Sequence, residues 1–199
     1  FVNLFTGGTI DVGTVGGTNV SITQDTNYPW DGAVTIRLNP ASPASFTIKV
    51  RSPNRSVSAI YSSSPSSNGI NSISVNGSSV STSATNGYVT ITRTWNPGDT
   101  IQLSLPMNIE RIKAVSQVAA CVGKVALQRG PFVYCIESVD QSTSNTLSYS
   151  APLSAVWDSN LLNGIVKITG QYSNGSSLLA IPRYARANRG GSSKVWIYD

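Results

Sequence analysis

Two carboxylates, Asp25 and Asp31, flank the segment Asn27-Tyr28-Pro29-Trp30. Cleavage of a glycosidic bond needs a pair of facing carboxyls about 5–9.5 Å apart, one to donate a proton and one to attack or activate water. The same residues carry a second reading. Pro29-Trp30-Asp31-Gly32 is a turn signal, because proline presets φ, aspartate caps its own backbone and glycine accepts unusual angles. The turn reading outweighs the catalytic one. Glu110 and Glu137 lie in strand-like contexts, where an ion pair with Arg111 or Lys124 is the ordinary role. The chain has no histidine. That removes Ser–His–Asp and Cys–His nucleophilic sites together with the commonest metal ligand. No glycine-rich loop opens a helix, so nucleotide binding has no support. The chain offers no catalytic set and no metal set.

Aromatic side chains are the remaining candidates. A sugar site stacks an exposed Trp or Tyr on the apolar face of a ring, with a few polar groups reading the hydroxyls. Tyr28, Trp30 and Asp31 share one turn-rich loop, and Trp157 and Tyr184 join them as candidates for carbohydrate binding or domain docking. Trp95 and Trp196 sit in alternating strand patterns and read as packing.

The elements that must position these residues are strands. Val34–Leu38, Phe46–Val50, Ser72–Val75, Tyr88–Trp95 and Thr100–Leu105 alternate apolar and polar residues, with turn signals between them. Asn76-Gly77 is a hairpin turn, since both residues accept positive φ. Later strands are Lys124–Gln128, Phe132–Ile136, Ile165–Thr169, Leu178–Ile181 and Val195–Tyr198. Ser62–Asn71 and Ser138–Ser150 read as polar loops, and a short helical turn fits near Ser154–Leu162. The expected fold is all-β, with two consecutive antiparallel β-sandwich, jelly-roll-like units and little or no helix. They cover residues 1–110 and 111–199.

The 199 residues carry a net charge of +5, with the bases scattered except for Arg183, Arg186, Arg189 and Lys194 near the end. No nucleic-acid motif accompanies them. No run of about 18 apolar residues exists, so nothing in the sequence reads as a membrane span. The expected partners therefore include neither nucleic acid nor membrane. Cys121 and Cys135 leave two readings open, a disulfide across adjacent strands or a buried thiol at Cys135. Sequons stand at Asn19, Asn54, Asn76 and Asn174 and permit N-glycosylation in a secreted protein. The chain starts at Phe1 without an initiator Met or a signal-peptide pattern, and reads as a processed or excised piece.

Two blocks are distinctive: Gln24-Asp25-Thr26-Asn27-Tyr28-Pro29-Trp30-Asp31-Gly32, and Gly123 to Glu137, which runs Gly-Lys-Val-Ala-Leu-Gln-Arg-Gly-Pro-Phe-Val-Tyr-Cys-Ile-Glu. With Phe1–Phe5, Val75-Asn76-Gly77, Leu105-Pro106-Met107 and Ile181-Pro182, they resemble, in order, the C-terminal β-sandwich region of glycoside hydrolase family 127, the β-L-arabinofuranosidase-like enzymes. The tail departs, with Arg183 and Arg186 where the family shows aromatics. The resemblance implies an (α/α)6 catalytic barrel elsewhere in the parent, holding a zinc-bound cysteine nucleophile and glutamates. Neither Cys121 nor Cys135 matches that cysteine, so no catalytic residue, zinc ligand or other cofactor is carried into this chain.

The expected function is therefore the non-catalytic β-sandwich portion of a secreted glycoside hydrolase. It would dock on the barrel of its parent, with glycans and a second copy of the chain as further partners. The alternative is a free-standing lectin-like carbohydrate-binding module.

Overall fold

The computed structural model describes residues 1–55 and 58–199. It is built almost wholly from strands, and all pairings between them are antiparallel among the described residues. The all-β expectation holds. The chain falls into two compact units: 1–55 with 68–107, and 56–67 with 108–199.

In the first unit, β1 (Gly8–Val15), β2 (Thr18–Thr26), β3 (Ala33–Pro40) and β4 (Ala44–Arg51) come first. After β5 (Tyr61–Ser64), which belongs to the second unit, come β6 (Ser72–Val75), β7 (Ser78–Ser79), β8 (Tyr88–Trp95) and β9 (Thr100–Ser104). One sheet has the order β1-β2-β3-β9-β6-β7, and β4 and β8 form a separate ribbon. Alternation explains the layering. Val34, Ile36 and Leu38 of β3, Phe46, Ile48 and Val50 of β4, and Val89, Ile91 and Trp95 of β8 all enter one core. The intervening threonines face water, where Thr47 and Thr92 pair their hydroxyls at 2.8 Å. The hairpin joining β6 to β7 turns at Asn76 and Gly77, with φ of 50° and 81°.

The turn Asn96–Asp99 between β8 and β9 is fastened by one carboxylate. Asp99 accepts hydrogen bonds from the Asn76 amide at 2.8 Å and the Asn96 N–H at 2.9 Å. Burial on its own would raise its pKa, but these donors outweigh it and hold the carboxyl below its ordinary 3.8. A depressed carboxylate contributes stability that is complete above its unfolded value and fades as pH falls through the folded one. Unfolding midpoints measured below pH 4 should therefore fall less steeply in Asp99→Asn than in the parent. Identical slopes would show that Asp99 is not an acid-labile element.

The second unit contains β10 (Ile109–Ala114), β11 (Lys124–Arg129), β12 (Phe132–Glu137), β13 (Leu153–Asp158), β14 (Ile165–Gln171), β15 (Ser177–Pro182), β16 (Ser193–Lys194) and β17 (Ile197–Tyr198). Its sheet runs β13-β14-β15-β12-β11-β10-β5, with β16 on β12 and β17 on β11. Tyr134 and Ile136 point into one apolar cluster with Val125, Leu127 and Ile168; Cys135 points into another with Ile165 and Ile181. Burial on both faces makes residues 134–137 a continuous buried run. Gly130, at φ 56°, and Pro131 form the two-residue turn between β11 and β12.

Three local expectations change. Ser62–Ser64, read as the start of a polar loop, belong to strand β5, held by backbone pairing to β10. Residues 153–158, read as a helical turn in part, are edge strand β13. Of the strand expected at Val195–Tyr198, Ile197–Tyr198 forms β17, and residues 195–196 are a bend that separates it from β16. Cys121 and Cys135 are both buried, free thiols, so the disulfide reading gives way. Cys121 ends a 3-10 turn while Cys135 lies inside the sheet. Burial, then nearby Glu137, push the Cys135 thiol up to about 11 against the opposing pull of Arg183, Arg186 and Arg189. It is an unreactive packing residue at neutral pH.

Candidate functional site

The turn between β2 and β3 shows why its sequence is so specific. Thr26 donates its hydroxyl to the Ala33 carbonyl at 2.6 Å and accepts the Tyr28 N–H at 2.9 Å. The Tyr28–Pro29 peptide is cis. The Trp30 N–H reaches the Asn27 carbonyl at 2.8 Å, and Asp31 accepts the Ala33 N–H at 2.9 Å. Gly32 is a close-approach residue. Leu105 donates its N–H to the Gly32 carbonyl at 2.8 Å, and a Cβ on Gly32 would stand 2.2 Å from the Leu105 oxygen.

The carboxylate pair dissolves in this geometry. Asp31 caps the turn, and Asp25 lies on β2 opposite Thr35. Tyr28 is half-buried, edge-on to Phe5 with centroids 5.9 Å apart, and its hydroxyl accepts from Arg55 at 3.4 Å. Trp30 remains 47% exposed. This loop thus brings together Tyr28, Trp30 and Asp31 from the sequence candidates.

The other two candidates lie in the second unit. Trp157 is 59% exposed on edge strand β13. Its ring lies over Gly164, where a Cβ would come within 2.6 Å. Tyr184, in a 3-10 turn, packs on Phe132 with centroids 4.9 Å apart. Trp95 is fully buried, and Trp196 is half-buried against Tyr61 at 5.9 Å, as packing residues should be.

Glu137 does not pair with Lys124. It is buried and meets Arg189 at 2.7 Å, and Asp140 meets the same guanidinium at 2.6 Å. These two carboxylates converge on an arginine, Glu137 from a buried position and Asp140 from an exposed one. Arg111 directs its guanidinium to the Ala151 carbonyl rather than to Glu110. Among the described residues no three His, Cys, Asp or Glu side chains converge as metal ligands. The residues present do not fit a zinc site, and no step through a metal is derived.

The sequon residues Asn19, Asn54, Asn76 and Asn174 are all exposed. Asn76 is engaged by Asp99 and Thr100, and Asn174 accepts from the hydroxyl of its own sequon residue Ser176 at 2.7 Å. Ser56 of the Asn54 sequon lies outside the described residues.

The first unit also holds an apolar groove of about 750 Å³, between the first residues and strands β1, β2 and β4. Phe1, Leu4, Ile10 and Val12 line it and are exposed. Its aromatic residues, Phe1 and Phe46, are few, and a lining of isoleucine and valine offers little to read sugar hydroxyls.

Residues 1–107 match the model of the β-L-arabinofuranosidase GH127 middle domain, and residues 109–198 match that of the glycoside hydrolase family 127 C-terminal domain. The chain belongs to glycoside hydrolase family 127. It is 33% identical over 126 residues to a non-reducing end β-L-arabinofuranosidase of Bifidobacterium longum subsp. longum, covering 61% of this chain and 17% of that protein. A GH127 β-L-arabinofuranosidase from Geobacillus stearothermophilus T6 superposes with a TM-score of 0.81 at 36% identity, over 98% of this chain and 33% of that one. A GH127 β-arabinofuranosidase superposes with a TM-score of 0.86 at 30% identity, over 99% and 34%. The chain thus spans about a third of these family 127 structures.

Sequence reading missed Tyr149 and Tyr198 as candidates. Each is exposed and bracketed by two cations. Apart from Lys194, four residues before Tyr198, their partners come from distant segments.

Proposed function

We propose that this family 127 chain is the non-catalytic β-sandwich portion of an exported glycosidase acting on arabinofuranosides, and that it docks on the catalytic barrel of its parent protein. One observation carries the reading. The chain matches the family's middle and C-terminal domains almost end to end, while the carboxylates Glu137 and Asp140 are both engaged by Arg189 and no metal-holding cluster occurs among the described residues. The apolar groove supports docking, since exposed apolar patches of this kind mark interfaces. Leu4, at 69% exposure, has no packing role of its own within the first unit.

Two measurements test this. The purified chain, checked for metal, should release no arabinose from aryl or natural arabinofuranosides; turnover proportional to its concentration would overturn the non-catalytic reading. Added to a separately produced family 127 barrel, the chain should form a complex. Leu4→Asp with Ile10→Asp should weaken it at least tenfold with an unchanged melting temperature, because exposed substitutions shift stability by only about 0.5 kcal/mol. Complexes of equal strength would remove the groove as the docking face.

A second reading rests on Trp30 and Trp157, large aromatics left in water. In it the chain is a carbohydrate-binding module. Loss of glycan retention in Trp30→Ala or Trp157→Ala, with no barrel association, would favour it.

A further inference from the structure

We propose that the second unit carries a cation–tyrosine surface that binds acidic polysaccharide, a chain of sugars bearing carboxylates. The proposal does not depend on the docking reading, which concerns the first unit.

The surface is built from two bracketed rings. The Lys113 ammonium lies 4.1 Å from the centroid of Tyr149, and the Arg111 guanidinium lies 5.8 Å from it. The ammoniums of Lys194 and Lys124 lie 5.0 and 5.5 Å from the centroid of Tyr198. Backbone pairing places the two rings in one region. Thr146, three residues before Tyr149, bridges to Tyr198, and Leu147, two residues before it, donates its N–H to the Tyr198 carbonyl at 2.7 Å. Asp199, next to Tyr198, forms a salt bridge with Lys113 at 2.6 Å.

The charge in this region is unbalanced. Among the described residues, Lys113 is the one of these four cations that forms a salt bridge, with Asp199. Lys124 and Lys194 donate to the backbone carbonyls of Ala120 and Thr143, at 2.8 and 3.1 Å. Those bonds fix the ammoniums in place without neutralising them. They are a pair of positive charges close to an aromatic ring that keeps 39% of its surface in water.

The chemistry that fits alternates an apolar face with a negative group. A uronate ring has both. Its C–H face suits a tyrosine, and its carboxylate takes a charge-assisted hydrogen bond from an ammonium. A neutral glycan would leave the cations unanswered. Nucleic acid would need a continuous basic track for regularly spaced phosphates, whereas here the cations form two separate clusters, one at each ring.

The test compares three probes by affinity electrophoresis and titration calorimetry of the whole chain: polygalacturonate, neutral linear arabinan and duplex DNA. Polygalacturonate should retard the chain and arabinan should not. Retention should vanish between about 0.01 M and about 1 M salt, where the screening length falls from about 30 Å to about 3 Å. Lys124→Gln with Lys194→Gln should weaken polygalacturonate binding at least tenfold. Tyr198→Leu should weaken it several-fold at unchanged charge, and Lys49→Gln in the first unit should not weaken it. Overturning results are no retardation, equal retardation by arabinan, DNA binding as tight as polygalacturonate binding, or a lysine double variant that binds like the parent with an unchanged melting temperature.

Discussion

Trp95→Ala is expected to remove about 3–5 kcal/mol of stability, the range for truncating a buried tryptophan. Trp95 ends β8 opposite Ala44 and has no exposed surface. Its ring centroid is 6.2 Å from that of Phe46, and the Arg93 guanidinium lies 5.3 Å over it. The indole N–H donates to the Phe46 carbonyl at 3.0 Å. Alanine would therefore open a cavity between the ribbon β4–β8 and the larger sheet, and remove the indole's hydrogen bond to Phe46. Trp95→Phe separates the two effects. It retains most of the ring volume and loses the hydrogen bond, for an expected loss of about 1–3 kcal/mol. Urea denaturation gives the totals, and amide exchange in β4 and β8 localises them. Trp95→Ala must also exceed Trp30→Ala, whose ring is half in water. If the two shifts were equal, the assignment of Trp95 to the centre of the first core would fail.

That core was legible in the sequence because its strands alternate. β3, β4 and β8 each place apolar residues at every second position, and two-sided layering follows from that period alone. The turns were legible where glycine takes positive φ, at Gly77 and Gly130. The illegible strands are those whose pairing rests on backbone rather than side chains. β1 is exposed along most of its length and carries a bulge between Asp11 and Gly13. β5 is Tyr-Ser-Ser-Ser, and nothing in its composition says that it leaves the first half of the chain to pair with β10. β13 is an exposed edge, so burial imposes no period on it. The same division governs the candidate residues. Tyr28, Trp30 and Asp31 were found together because one turn holds them. Tyr149 and Tyr198 meet cations from β10 and β11, a convergence that only the folded sheet produces.

A long-range ion pair in the second unit should also be among its most sensitive contacts. Arg189→Ala is expected to cost about 3–5 kcal/mol, because it leaves a buried carboxylate without its counter-charge. Glu137 ends β12 with 1% of its surface exposed. One oxygen accepts the Ala187 N–H at 2.7 Å, and the other meets Arg189 at 2.7 Å. Arg189 in turn holds Asp140 through two bonds, at 2.8 and 2.6 Å. The hydrogen bond to Asp140, then that to Glu137, raise the guanidinium above its ordinary value, overcoming the opposing effect of its own burial. The segment after β15 is thereby fastened to β12 by charge at a site where the chain turns through Ala187 with φ of 64°. Arg189→Lys keeps the charge but loses the fork that serves two carboxylates at once, so it should recover only part of the loss. Glu137→Gln with Arg189→Ala removes the stranded charge, and the double variant should be more stable than Arg189→Ala alone. The cycle is read by denaturation at neutral pH. If the double variant were the less stable of the two, an unpaired buried charge at Glu137 would not be the source of the loss, and the network would be a surface ornament rather than the clasp of the C-terminal segment.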